Sequence, residues 1–474
     1  MKSEANRFFA TQAWVRGGWA HDVLLTVADD GNWHSVQLNA TAAEQAGAIR
    51  LPGPVLPGLV NAHSHAFQRA IAGLTERRGP GAANASDDFW SWRERMYSAA
   101  NRITPAQLEA IASLLYAELL AGGYTQVCEF HYLHNAVDGA AYANPTEMAL
   151  ALVRAAQRTG IGLTLLPTLY MRSGFTASGL RDEQRRFAST PDSVLRVAEE
   201  IERLGDSRIH AGVAVHSLRA ADPAALSELA AAAKHAGLPL HIHIAEQTQE
   251  VADCIDHTGQ RPIEWLLNHA QVDARWHLVH ATHATPAELA ALQASGASVV
   301  LCPATEANLG DGVFDLPAYA ATGGRWSVGS DSQVTRSWPE ELRLLEYSQR
   351  LHLRQRNIAA RIHGQESSAA VLFEAALAGG GAASGQALGD IAPGNRADFV
   401  TLDLQAPALL GVPPELLLDA LVFSSPVAAF GEVFVAGRRV VAGGRFGGAH
   451  QDAAPWPQLA GDFSRAMRAL WAGA

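Results

Sequence analysis

His63-Ser64-His65 puts two imidazoles two residues apart on an extended segment, so both side chains point to one side. Imidazole nitrogens suit zinc and similar divalent ions. An H-x-H pair is weak evidence alone, but the same donor types recur along the chain. His243 lies near the end of the apolar run LPLHIHIA, and Glu246 follows three residues later. His280 ends WHLVH, and Asp331 ends RWSVGSD. Four apolar runs therefore end in His/His, His, His and Asp. Packing does not require that repetition, whereas a site holding a divalent metal does. Such a metal lowers the pKa of a bound water, so hydroxide becomes available near neutral pH. His241, two residues before His243 and on the same side, is a rival ligand on spacing alone.

The elements that must position these residues alternate. Helices over 104–121, 145–159, 191–204, 223–236, 261–269 and 286–294 each precede an apolar strand. Several are punctuated by a capping residue plus proline at the start, as in Thr104-Pro105, or by glycine at the end, as at Gly160, Gly205 and Gly237. With Leu59-Val60 as the first strand the count is eight, which closes a parallel barrel. A doubly wound open sheet is the alternative. The barrel is preferred because every candidate ligand falls at a strand C-terminus, the catalytic face of that fold. We therefore expect a distorted (β/α)8 TIM barrel over 59–392. Alternating short strands at 1–58 and 393–452 predict a small β-sandwich module built from both ends of the chain. A helical tail is expected over 453–474.

The formal net charge is −11, which argues against a nucleic-acid surface. Hydrophobic residues make up 48% and charged residues 18%, a globular balance. No apolar run reaches membrane-spanning length; the stretch near Val371 is interrupted by Glu374 and a glycine cluster. The three cysteines, Cys128, Cys254 and Cys302, form no C-x-x-C pair, and the N-terminus lacks the apolar core of a signal peptide. The expected compartment is the cytoplasm, with neither a nucleic-acid nor a membrane partner.

PGLVNAHSH, HIHIAEQ, LVHA, GSDS and PGNRADFVTLD together resemble the amidohydrolase superfamily over nearly the whole chain. The resemblance implies that His63, His65, His243 and Asp331 bind the metal. Its His-x-x-Glu pattern selects His243 with Glu246 and leaves His241 as a packed histidine. Binuclear members carry a lysine at the end of the fourth strand; here that strand ends in His216, which implies one metal ion. Zinc is the default, and iron(II) accepts the same ligands. Glu246 would then move the proton of the water to the substrate nitrogen. His280 would stabilise developing charge, and Asp331 would ligate and move a second proton.

HAFQRAIAGLTE, DDFWSWRERMY, EFHYLH, VHSLRA and CPATEANLGDG further resemble the formimidoylglutamate deiminases, which convert N-formimidoyl-L-glutamate to N-formyl-L-glutamate and ammonia. That resemblance implies a small dicarboxylate substrate, with Gln68, Tyr132, His216 and Arg219 lining its site and Arg219 pairing with a carboxylate. Many relatives are dimers, so a homodimer is expected from the resemblance. Arg78 and Arg93 read first as ordinary loop cations. Phe89 and Trp92 read as the packed face of a helix rather than a lid. Gln333 stands where these relatives carry a histidine, and we expect it to alter bonding around the ligands rather than activity. Two rival readings remain. One is another mononuclear deaminase or chlorohydrolase acting on guanine, cytosine or an adenosine derivative. The other is a metal-free scaffold, against which the intact ligand set argues.

Overall fold

The computed structural model describes residues 6–77, 88–425, 429–446 and 454–472. One of its two sheets joins the chain ends. Its hydrogen-bonded order runs Arg445–Phe446, Arg438–Ala442, Phe430–Val435, Phe399–Leu402, Val55–Pro57, Asn6–Val15, Gly18–Val27, Trp33–Gln37. Val55–Pro57 pairs antiparallel with Phe399–Leu402 and parallel with Asn6–Val15, so it welds the two terminal segments together. Trp33 at one edge meets Phe399 at 5.3 Å, and Phe8 meets Phe399 and Phe434 edge-on at 5.5 and 5.4 Å. The module expected from the termini is thus one sheet curled around its own apolar core.

The other sheet is parallel. In chain order its strands are Leu59–Ser64, Tyr124–His131, Gly162–Leu169, a split fourth strand, Leu240–Ile244, Trp276–His280, Ser298–Leu301 and Arg325–Val328. The sequence reads the fourth strand as continuous, but Gly212 divides it. Ile209–Ala211 pairs with the third strand, and Val213–Val215 pairs with the third and fifth. A glycine offers no side chain to hold the ladder through that step. Between the eighth strand and the first, the barrel closes through an isolated bridge of Ser64 with Asp331. The Asp331 N–H donates to the His63 carbonyl (3.0 Å), and the His65 N–H donates to the Asp331 carbonyl (3.2 Å). The seam of the barrel is therefore made by the segments that carry three candidate ligands.

Outer helices form where local signals predict. Thr104, Thr190, Asp222 and Thr285 each cap a backbone N–H with a side-chain oxygen, and each is followed by a proline in the first turn. Each cap stabilises its helix by about 1 kcal/mol. Gly160, Gly237 and Gly296 end helices at φ of 82°, 71° and 83°. The apolar stretch near Val371 becomes the helix Ser368–Ser384, laid against the first and eighth strands. A Cβ on Gly379 would lie 1.9 Å from the Trp326 carbonyl oxygen, so only glycine allows that approach. The terminal helix Trp456–Trp471 packs on Pro105–Ala121, and Asp462 pairs with Arg158 at 2.6 Å. Among the described residues no helix is long and apolar enough to cross a membrane.

Candidate metal centre and substrate pocket

The first barrel strand ends in His63 and Ser64, with His65 just beyond it; His243 lies in the fifth strand and His280 ends the sixth. Asp331 follows the eighth strand in the seam just described. Their ligand atoms converge. His63 Nε2 and His65 Nε2 lie 3.5 and 3.4 Å from Asp331 Oδ1, and His63 Nε2 lies 3.1 Å from His243 Nε2. His65 Nδ1 faces the Phe130 carbonyl and His243 Nδ1 the His216 carbonyl, each at 2.9 Å. An Nδ1–H donated to a carbonyl leaves the lone pair on Nε2 and aims it at the centre. His63 brings its own Nε2 to the same point, while its Nδ1 is buried with no hydrogen-bond partner among the described residues. The donor set therefore fits a divalent cation. Cys302 Sγ also reaches His280 and Asp331, but burial pushes its thiol far above the usual range and keeps it protonated.

Electrostatics reinforce this. Burial lowers the His63 pKa to about 3 and lowers that of His65 and His243, so these imidazoles are neutral, the form that ligates. Burial alone would raise the Asp331 carboxyl; the imidazoles of His63 and His65 and the cationic His280 around it outweigh that and hold it far down. His241, by contrast, sits deeper in the barrel, where Nε2 meets the Ala383 carbonyl at 2.9 Å and the ring lies 4.7 Å from His277.

Beside the cluster, His280 lies between acids. Its Nε2 is 3.8 Å from Glu246 Oε1 and 3.7 Å from Asp331 Oδ2, and its Nδ1 is 3.3 Å from Glu306 Oε1. Burial opposes its charge, but Glu246, Glu306 and Asp331 prevail and raise its pKa. The Glu246 carboxyl is raised, first by burial and then by the charges of Asp331 and Glu250. Glu306 was not singled out by the sequence; its signal was position, four residues beyond Cys302 at the end of the seventh strand.

Gln333 answers the departure noted above. A directed chain runs Asn61 Nδ2 to Ser330 Oγ (2.7 Å), Ser330 Oγ to Gln333 Oε1 (2.8 Å), Gln333 Nε2 to Ser64 Oγ (3.0 Å) and Ser64 Oγ to Glu129 Oε2 (2.8 Å). Gln333 Nε2 also donates to the Asp331 carbonyl at 2.7 Å. It ties the segment carrying His63 and His65 to the segment carrying Asp331.

Above these groups opens a pocket lined by Gln68, Tyr132, His216 and Arg219, together with His65, His243, Glu246, His280 and Asp331. Its other wall is the helix Phe89–Ala100, which contributes Phe89, Trp92, Arg93, Met96 and Tyr97. Arg93 is thus a pocket residue on a helix and not a loop cation, and Phe89 and Trp92 both pack and face the pocket. Arg78 lies outside the described residues. Arg93 lies over the Trp90 ring at 4.4 Å and Arg219 over the same ring at 5.5 Å. Arg219 is buried, and its Nε has no hydrogen-bond partner among the described residues. Tyr170, just past the third strand, completes the wall.

Known proteins resemble this chain over nearly its whole length. A model of the amidohydrolase family matches residues 55–440. The chain is 46% identical over 455 residues to a formimidoylglutamate deiminase of Pseudomonas aeruginosa, covering 96% of this chain and 98% of that one. A 5-methylthioadenosine/S-adenosylhomocysteine deaminase of Natronomonas pharaonis is 28% identical over 359 residues, 75% of this chain and 74% of that one. Among solved structures, an amidohydrolase of Brucella melitensis superposes with a TM-score of 0.89 at 41% identity, covering 98% and 99% of the two chains. An adenosine deaminase of Xanthomonas campestris with bound zinc shares the fold, with a TM-score of 0.78 at 21% identity and 98% of each chain covered.

Proposed function

Because this chain belongs to the amidohydrolase family, we propose that it is a deiminase that hydrolyses N-formimidoyl-L-glutamate to N-formyl-L-glutamate and ammonia. The observation that carries the substrate is Arg219: a buried guanidinium with no salt bridge among the described residues, facing the same pocket as the imidazole cluster. A dicarboxylate supplies the missing anion, and Arg93 on the facing helix receives the second carboxylate.

His63, His65, His243 and Asp331 would hold one divalent ion, zinc by default and iron(II) as the alternative. When bound, that ion supplies Lewis acidity and makes hydroxide available near neutral pH. Glu246 Oε1 takes the proton of the attacking water and hands it to the leaving nitrogen; its raised pKa suits it to hold a proton near neutrality. His280 Nε2, kept cationic by Glu246, Glu306 and Asp331, stabilises charge that develops around the attacked formimidoyl carbon. Asp331 moves the second proton. Gln68, Tyr132 and His216 orient the formimidoyl group. Water adds across the C=N bond and ammonia leaves, so the carbon ends as a formyl group. The cysteines Cys128, Cys254 and Cys302 are buried and unpaired, which supports a reducing cytoplasm as the compartment.

The test is ammonia release by the metal-loaded enzyme from N-formimidoyl-L-glutamate, guanine, cytosine and S-adenosylhomocysteine. We expect kcat/KM for the first to exceed the others by about a hundredfold or more. A nucleobase or nucleoside that outcompetes it would overturn the substrate assignment. Protein that retains no metal after purification in metal-supplemented medium, and releases no ammonia, would favour the scaffold.

A further inference from the structure

Two tyrosines of the pocket wall and the glutamine behind them, all buried, have more protons than protein acceptors. Gln184, in the 3-10 turn Asp182–Phe187, is 1% exposed. Its Nε2 donates to Tyr97 Oη at 3.0 Å and to Tyr170 Oη at 2.9 Å. The orientation of this amide is set independently, because the Arg181 N–H donates to Gln184 Oε1 at 3.1 Å. The NH₂ group therefore faces the tyrosines, and it has two protons, one for each hydroxyl.

Each hydroxyl thus accepts from Gln184 and keeps its own proton to donate. The hydroxyls are 3.4 Å apart, and that contact consumes at most one of the two protons. No other acceptor for either hydroxyl occurs among the described residues. At least one O–H is left over, and a buried donor left unmade is unfavourable until an acceptor arrives. Both tyrosines line the substrate pocket beside Arg93 and Arg219. The charges of both guanidiniums reach Tyr170. An oxygen arriving there comes into a positive field and meets a hydroxyl with a free proton.

We propose that the Tyr97–Tyr170 hydroxyl pair, oriented by Gln184, donates a hydrogen bond to a carboxylate of the substrate and helps the pocket select an acidic over a neutral tail. Tyr97 and Tyr170 are binding residues in this scheme, and Gln184 is a positioning residue. The donor sits on three separate elements: the helix Phe89–Ala100, the end of the third strand and the turn Asp182–Phe187. Additional contacts hold that helix to the turn, with Arg181 paired to Glu94 at 3.0 Å and Asn101 Nδ2 donating to the Glu183 carbonyl at 2.8 Å. The inference rests on the dicarboxylate reading above.

The test uses the metal-loaded enzyme and its Tyr97→Phe, Tyr170→Phe and double variants. Two measurements are made: ammonia release from N-formimidoyl-L-glutamate and the Kd of glutarate by calorimetry. In the double variant, KM and the glutarate Kd should rise about ten- to a hundredfold, the span of one charge-assisted hydrogen bond, while kcat stays within about threefold. Either single variant should lose less, because the remaining hydroxyl still donates. Gln184→Glu should weaken glutarate binding in the native background, since a carboxylate there accepts both hydroxyl protons. It should weaken binding less in the double-phenylalanine background. Unchanged KM and Kd in the tyrosine variants, or a fall in kcat at constant KM, would overturn the inference while wild-type turnover keeps the dicarboxylate reading intact. If the double variant does not fold, a Gln184→Glu variant with unaltered Kd and KM overturns it equally. A wild type that neither binds glutarate nor releases ammonia from formimidoylglutamate removes the underlying reading, and the donor pair with it.

Discussion

Replacing Arg219 by methionine removes a guanidinium that is 7% exposed and has no carboxylate within salt-bridge distance among the described residues. Burial opposes its charge in the free protein, but the charges of Glu250 and Glu246 help to outweigh burial and raise its pKa. Arg93 lies over the same indole, Trp90, and the charge of Arg219 adds to burial in lowering the Arg93 pKa. Exchanging it for an apolar side chain of similar length removes both the burial cost and the repulsion with Arg93, and loses the attraction to Glu250 and Glu246, so the two effects offset each other in folding. The same exchange deprives a bound carboxylate of its partner, which costs about 2–5 kcal/mol when the pair is desolvated. At about 1.4 kcal/mol per decade, that is roughly a thirtyfold to several-thousandfold loss of kcat/KM. The loss should appear mainly in KM, because the guanidinium lies at the tail of the substrate and not at the reacting carbon. Steady-state ammonia release and thermal unfolding of the metal-loaded enzyme, with and without glutarate, measure both halves. We expect Tm without glutarate to change little, and the glutarate-induced increase in Tm to vanish. A variant with wild-type KM refutes the assigned role. So does a large fall in Tm with KM unchanged, which would mark Arg219 as a structural residue.

Glu246→Gln should retain metal, since the amide leaves the four ligands untouched, yet lose about 10²–10⁴ in kcat; elemental analysis and turnover together check this. Loss of the metal instead would move Glu246 into the ligand set. Gly329→Ala should weaken metal retention and lower stability by about 1–3 kcal/mol, because its Cβ would lie 2.7 Å from the backbone of His63; thermal unfolding and metal content measure it. The raised pKa of Glu246 means that its basic form is lost, as pH falls, above the ordinary glutamate range, so the acid limb of kcat/KM should lie there too. The like charge of Glu250 adds to burial in raising it, so Glu250→Gln should move that limb to lower pH; a limb that stays in place would show that another group sets it.

Much of this architecture was legible without coordinates because its signals are local. A capping Thr or Asp followed by proline, and a glycine at the left-handed end of a helix, depend on a few adjacent residues. So does the two-residue spacing that aims His63 and His65 to one side. The repetition of donors at strand ends made the cluster visible before any distance was known. Other features depended on which surfaces meet. Arg93 and Tyr97 have the same local sequence whether their helix faces solvent or the pocket, and only the docking of Phe89–Ala100 over the barrel mouth decides. His241 and His243 share one alternation pattern; their depth in the barrel separates a ring bonded to Ala383 from one aimed at the cluster. Gln333 was visible as a departure from relatives, yet its bonds reach Ser64, 269 residues away, across the seam where the barrel closes. The sequence by itself determined the alternating elements and the chemical types at their ends, because those follow from short-range sterics and hydrogen bonding. Only the tertiary structure decided which charges are left without partners and which hydroxyl keeps a spare proton, because that depends on every group packed around them.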